Sequence, residues 1–213
     1  MPVDAYYTDD NVTIYHGDCR EILPSLNNFD LVITDPPYGM NYQSNYRSQK
    51  HEKITNDHKF PVDEIKQIIK KAGFAAYVFC RWDNLPEMPK PKSVLAWIKN
   101  NWGMGDLKHE HGRQWEACCF YPKEKHKFTK RTPDVLNFAR TDNELHPTQK
   151  PVGLIASLIE CNECETILDP FAGSGTTGRA AKDLNKKSVL IELNEKYCEI
   201  AAKRMAQEVF QWQ

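Results

Sequence analysis

Thr166-Ile167-Leu168-Asp169-Pro170-Phe171-Ala172-Gly173-Ser174-Gly175-Thr176-Thr177 reads as a short apolar strand, a turn of small residues and the start of a helix running on to Leu184. The paired glycines matter because glycine takes positive φ without penalty and leaves no side chain between backbone N–H groups and a ligand. A phosphate-gripping P-loop would need Gly-Lys-Ser/Thr, and no lysine stands at Gly175-Thr176-Thr177, which argues against nucleotide hydrolysis. The next strand, Val189 to Leu193, carries Glu192 about twenty residues beyond the glycines, where a carboxylate can accept the hydroxyls of a nucleoside ribose.

Upstream, the same strand and helix rhythm repeats. Val12 to Tyr15 is a short β-rich segment ending at Gly17-Asp18, Arg20 to Leu26 a short helix, and Phe29 to Ile33 a strand apolar enough to be buried on both faces. Val62, Ile65, Ile68 and Ile69 form a helical stripe over Val62 to Ala72, stopped by Gly73, and Ala75 to Cys80 is a further strand. Past Asp83 the rhythm breaks at Pro86, Pro89 and Pro91; strands are predicted over Val94 to Ile98 and Trp115 to Tyr121, with Gly103 and Gly105 flanking a turn. It resumes with a helix from Val152 to Ile159, the strand and helix quoted above, and a last helix from Glu195. Such alternation predicts a mostly parallel sheet covered by helices.

Asp35-Pro36-Pro37-Tyr38 follows the buried strand directly. Two prolines fix φ and remove two N–H donors, leaving local carbonyls free as acceptors. A carboxylate beside such a carbonyl suits an exocyclic amino group on a planar base, and Tyr38 offers a face for stacking. A site for an amino-bearing base and a site for a nucleoside cofactor, in one small chain, point to methyl transfer onto nucleic acid.

The chain has 213 residues, 40% hydrophobic and 27% charged, with five Trp and nine Tyr, which fits one ordered domain with insertions at about residues 41–60 and 103–133. Met1 to Asp10 is acidic with no apolar stretch, and no run approaches membrane-spanning length, so a cytoplasmic protein without a membrane segment is expected. Seven cysteines lack the spacing of a disulfide framework; Cys161 and Cys164 form one C-x-x-C pair without a good second half at Cys118-Cys119, so reduced core thiols are favoured over a metal site. The net charge of −1 hides local basic stretches: Lys123, Lys125, Lys127, Lys130 and Arg131 against Glu124 alone, and Arg47, Lys50, Lys53 and Lys59 beside Tyr42 and Tyr46. Phosphate attraction needs only a local positive surface.

The chain resembles the DNA amino-methyltransferases that act on N6 of adenine or N4 of cytosine, in the permuted β-type order where the D-P-P-Y element precedes F-x-G-x-G. The matching motifs are His16-Gly17-Asp18, Thr34 to Gly39, His146 to Pro151 and Asp169 to Thr177. The resemblance implies a Rossmann-like class I methyltransferase fold, α/β, with a seven-stranded, mostly parallel sheet and helices on both faces. It implies S-adenosyl-L-methionine as cofactor, with Asp169, Phe171, Gly173, Ser174, Gly175, Thr176 and Thr177 around its methionine part, Glu192 on its ribose, Asp18 on its adenine amino group, Lys150 toward its carboxylate and Asp35 nearby.

Asp35, Pro36, Pro37 and Tyr38 would then be the catalytic set. A duplex hides the amino group, so double-stranded DNA with a flipped base is implied, Tyr38 stacking on the extruded ring and Trp82 being weighed as a second wall against a core-capping role. Arg47, Lys50, Arg113, Lys123, Lys125, Lys127, Lys130 and Arg131 are the candidate DNA contacts. Asp rather than Ser at the head of D-P-P-Y favours adenine by family tendency; cytosine N4, RNA bases and a non-catalytic nucleic-acid-binding protein are the alternatives. A homodimer and a restriction endonuclease partner are further implications of the resemblance.

Overall fold

A computed structural model of the protein describes residues 4–40, 58–103, 108–141 and 149–207. In chain order the elements are β1 (Tyr7–Thr8), β2 (Val12–His16), α1 (Cys19–Ile22), β3 (Phe29–Thr34), α2 (Val62–Lys70), β4 (Ala72–Cys80), β5 (Ser93–Gly103), β6 (Arg113–Pro122), β7 (Val135–Asn137), α3 (Val152–Glu160), β8 (Thr166–Asp169), α4 (Thr176–Asp183), β9 (Lys187–Glu192) and α5 (Glu195–Met205). Short 3₁₀ segments follow α1 and β4, at Leu23–Ser25 and Trp82–Glu87.

All the strands join one sheet in the order β1-β2-β9-β8-β3-β4-β6-β5-β7. Strands β2, β9, β8, β3 and β4 run parallel, and β6 lies antiparallel between β4 and β5. These seven are the expected sheet; β1 and β7 add short edges of two and three residues, too brief to show any alternation in sequence.

Two boundaries differ from expectation for clear reasons. Helix α1 ends early because the following turn is wound around Pro24, which lacks the N–H that a continuing α-helix needs. Helix α2 stops at Lys70, before Gly73, which lies inside β4 instead. A Cβ on Gly73 would stand 3.2 Å from the Phe29 carbonyl oxygen, so the glycine serves close strand approach and not helix termination.

Strand β3 is central and explains the layering. Leu31, Val32 and Ile33 are wholly buried, each contributing about 1.5–3 kcal/mol by leaving water. Leu31 and Ile33 pack with Tyr77, Phe79, Leu154 and Leu158 under α3 and α4, while Val32 packs with Ile65, Ile68, Val78 and Ile191 under α1 and α2. Helix α5 covers Val12, Ile14 and Leu190 through Cys198, Ala201 and Met205. All seven cysteines are buried and unbonded, and no described helix is long and apolar enough to cross a membrane.

This topology gives the sheet two unlike ends. The carboxyl ends of β2, β9, β8, β3 and β4 gather at one pole, and the antiparallel hairpin β5–β6 closes at that same pole, since Gly103 pairs with Arg113 while Cys80, the last residue of β4, pairs with Ala117.

Candidate active site

The ends of β3 and β8 are neighbours, paired at Leu31 with Ile167 and Val32 with Leu168. Just beyond, the Thr34 hydroxyl donates to the Asp169 carboxylate at 2.8 Å. The proline turn and the small-residue loop therefore leave the sheet side by side. Asp169 also accepts from the Thr177 hydroxyl at 2.6 Å and the Phe171 N–H at 3.1 Å, so it ties β3, the loop and the first turn of α4 together.

Burial pushes the Asp169 carboxyl up to about 6, against the opposing pull of these hydrogen bonds. The folded chain thus holds that proton more tightly than the unfolded one, and the buried charge costs up to roughly 3 kcal/mol at neutral pH. The cost is removed as pH falls from about 6 to about 4. Burial also pushes Glu192 and Asp35 upward, in the same sense. The thermal midpoint is expected to rise between pH 7 and about pH 5, and Asp169→Asn to flatten that rise; a wild-type midpoint falling monotonically over this range would contradict the assignment.

Within the loop, Gly173 (φ +52°) and Gly175 (φ +78°) are left-handed, and a Cβ on Gly175 would stand 2.9 Å from that of Ala201. The Gly173 N–H donates to Glu192 at 2.8 Å, and the other oxygen of Glu192 accepts from the Asn194 N–H at 2.8 Å. Arg204 holds the Ser174 carbonyl and the Thr176 hydroxyl, each at 3.2 Å. The hydroxyls of Thr176 and Thr177 are thereby engaged in shaping the loop. Asp18 reaches the same pole through the pairing of β2 with β9, caps α1 through the Arg20 N–H and pairs with the Arg20 guanidinium.

The proline turn carries the charged half of the site. Pro36 is buried and Pro37 half-buried, and the Asp35 carboxylate accepts from the Tyr38 hydroxyl. Lys150, with its side chain only 6% exposed, forms an ion pair with Asp35 and a second with Glu116 at 3.1 Å. Its ammonium lies 5.1 Å from the Phe79 ring centroid and 5.7 Å from that of Trp97. Glu116 is in turn paired with Lys99.

Burial raises Asp35, with Lys150 pulling it down and Glu116 pushing it up. Burial opposes the charged form of Glu116 as well, yet Lys150 and Lys99 hold it at about 2. Burial lowers Lys150, but its two carboxylates outweigh that and leave it raised; Lys99 is lowered by burial. The Tyr38 hydroxyl stays protonated, its pKa driven well up by burial and by Asp35 and Glu116.

Lys150 therefore does not stand free toward a cofactor carboxylate; its ammonium is engaged between Asp35 and Glu116. Sequence reading passed over Glu116 and Lys99. The available signal was a lone carboxylate inside the apolar run Trp115 to Tyr121 and a lysine closing the strand from Val94.

The basic residues divide between the poles. Arg113 starts β6 at the site pole and pairs with Glu110. Lys123, Lys125, Lys127, Lys130 and Arg131 lie at the other end: β6 finishes where β4 begins, Pro122 opposite Ala75, and the Lys123 N–H donates to the Phe74 carbonyl. Phe128 bridges to Asn162, ahead of β8, and stacks with Phe120. Between Ala75 and Cys80 the chain rises roughly 16 Å, so this stretch cannot line the Asp35 cleft. Strand direction places this part of the expected contact set at the pole away from Asp35. Arg47, Lys50, most of the 41–60 segment and His146 to Thr148 lie outside the described residues. Trp82 is 56% exposed beside the proline turn, and Asn84 of the same turn reaches the Tyr38 carbonyl at 3.5 Å, which removes the core-capping reading.

A sheet of this order, with a glycine loop after one central strand and a carboxylate ending the next, is the Rossmann-like fold of class I methyltransferases. Residues 84–203, more than half of the chain, match the family model described as DNA methylase of the N6/N4 type, and the chain belongs to that family. It is 27% identical to the DNA adenine methyltransferase YhdJ of Escherichia coli K12, over 91% of this chain and 82% of the relative. It is also 27% identical to the type II methyltransferase M.HpaI of Haemophilus parainfluenzae, over 85% and 69% respectively. Among solved structures, the M1.HpyAVI–SAM complex superposes with a TM-score of 0.71 at 26% identity, covering 91% of this chain and 99% of that one. The PvuII cytosine-N4 methyltransferase, 18% identical, shares the fold with a TM-score of 0.70 over 97% of this chain and 90% of that one.

Proposed function

We propose that the protein is a site-specific DNA methyltransferase acting on the exocyclic N6 of adenine with S-adenosyl-L-methionine as methyl donor. The observation that carries this reading is the side-by-side exit of β3 and β8, joined by the Thr34–Asp169 hydrogen bond, which sets the Asp35 turn and the Gly173 loop next to each other, where they would form two walls of one cleft. The names of YhdJ and of the SAM-bound M1.HpyAVI structure support the same donor and base.

The chain's own residues fit such a donor. Gly173 turns the loop with a left-handed φ, Gly175 lets the start of α4 pack closely on Ala201, and Glu192 is a half-buried carboxylate at the end of β9, the position from which ribose hydroxyls are held. The donor, when bound, supplies a methyl group on an electron-poor sulfonium.

Everything else falls to the proline turn. The adenine amino nitrogen is a poor nucleophile because its lone pair is delocalised into the ring. Hydrogen bonds from it to the Asp35 carboxylate and the Pro36 carbonyl favour a pyramidal nitrogen, and orientation and electrostatics supply most of the acceleration. A carboxylate whose pKa is raised by burial is also suited to take the departing proton.

Duplex DNA would dock on the carboxyl pole, where Trp82, Trp102 and Trp115 are exposed, with the adenine flipped toward Tyr38. The test is incubation with plasmid DNA and labelled S-adenosyl-L-methionine, followed by digestion to nucleosides and mass spectrometry. N6-methyl-2′-deoxyadenosine is the expected product; N4-methyl-2′-deoxycytidine would move the target base, and unlabelled DNA would end the proposal. In the same assay Trp82→Ala is expected to raise the KM for DNA roughly tenfold, by loss of one aromatic stacking surface. The double change Lys125→Ala, Lys127→Ala, at the far pole, should leave that KM unchanged.

A further inference from the structure

Four charged side chains, Asp35, Lys150, Glu116 and Lys99, form a continuous ion-pair chain among the rings of Tyr38, Phe79 and Trp97. Burying such a chain gains little stability over apolar residues of the same size, because desolvation consumes most of the attraction. The fold alone gives no reason to keep it.

We propose that Glu116, braced by Lys99, is a positioning residue that holds the Lys150 ammonium between two carboxylates and so keeps Asp35 aimed and still available to the target amino group. This rests on the methyl-transfer reading above. The geometry supplies the argument. Tyr38 donates to one oxygen of Asp35, and Lys150 pairs with the other. Facing Asp35 alone, Lys150 would spend its whole charge on that carboxylate and leave it a weak acceptor. Glu116 takes a share of the ammonium at 3.1 Å, and Lys99 on the far oxygen of Glu116 keeps that glutamate from drawing Lys150 away.

The signs of the effects follow from the groups around Asp35. Facing it are Tyr38 from its own turn, Lys150 from the segment before α3, Glu116 and Cys118 from β6, Cys80 from β4 and Asp169 from β8. Lys99, with Arg140 near it, acts through Glu116. Asp35 must be ionised to accept from the amine, so methyl transfer falls as pH drops through its titration. Removing the Glu116 charge eases that ionisation; removing the Lys99 charge hinders it.

The experiment is single-turnover methylation of plasmid DNA by wild type, E116Q and K99M from pH 5 to pH 9, with circular dichroism to check folding. E116Q is expected to lower the plateau rate by about tenfold, less than the roughly 100-fold or more that a proton-accepting group itself contributes, and to move the acid limb to lower pH. K99M is expected to move the limb the opposite way, and E116D to recover part of the plateau. A purely structural pair would slow both variants without displacing their limbs in opposite directions, and that result would overturn the proposal. Should E116Q not fold, the K99M limb decides alone: unmoved or moved to lower pH, it overturns the role of Glu116. An inactive wild-type chain overturns the methyltransferase reading and this inference with it, whereas an active wild type with indifferent variants overturns only the inference.

Discussion

Replacing Asp35 by alanine is expected to abolish methyl transfer, lowering the single-turnover rate by about 10³-fold or more, within the range lost when one preorganised polar group or general base is removed. No other group in the turn duplicates it: the Pro36 carbonyl is a neutral acceptor, and Tyr38 is a donor to Asp35 itself. The fold should survive. Removing one partner of a buried ion pair costs about 3–5 kcal/mol when the other charge is stranded, but Lys150 keeps Glu116 at 3.1 Å, so the loss lies toward the low side. A labelled-DNA assay beside a thermal melt reads both quantities. Normal turnover in Asp35→Ala would remove the proline turn from the chemistry.

Glu192→Ala is expected to weaken S-adenosyl-L-methionine binding by about 100-fold or more, because hydrogen bonds to a charged carboxylate contribute roughly 1.5–3 kcal/mol each and a ribose offers two hydroxyls. The same change orphans the Gly173 and Asn194 N–H groups, at about 1–3 kcal/mol each where they are buried. Part of the loss would therefore come from a loosened glycine loop. Glu192→Gln separates the two effects, since the amide oxygen keeps one of those bonds while the charge is gone. Isothermal titration calorimetry on both variants gives the answer, and an unchanged Kd in Glu192→Ala would place the ribose elsewhere.

The elements that position the site are local in sequence and were readable there. Strand β3 is a run of buried aliphatic residues closed by two prolines, and the loop after β8 is spelled by glycines that take positive φ. Glu192 stands at a spacing that folding converts into proximity to Gly173. What escaped depends on which strand lies beside which, and in which direction. The pairing of Glu116 with Lys99 and Lys150 joins three separate segments, and no periodicity within any one of them encodes it. The basic stretch from Lys123 was visible as charge, but the antiparallel course of β6 carries it to the pole away from the cleft. Gly73 looked like a helix stop because glycine commonly is one; here the tight approach of Phe29 requires it.

The side-by-side placement of β3 and β8 also bears on how the protein is made. Thr34 and Asp169 are 135 positions apart, so most of the polypeptide must leave the ribosome before β3 gains its second neighbour. Until then this central strand, with Leu31, Val32 and Ile33 side by side, can pair with β4 but presents its other side as an open edge, the kind of surface on which nascent chains aggregate. The β3–β8 pairing therefore forms only once β8 has emerged, and the open edge of β3 is exposed throughout the interval between the emergence of these two strands.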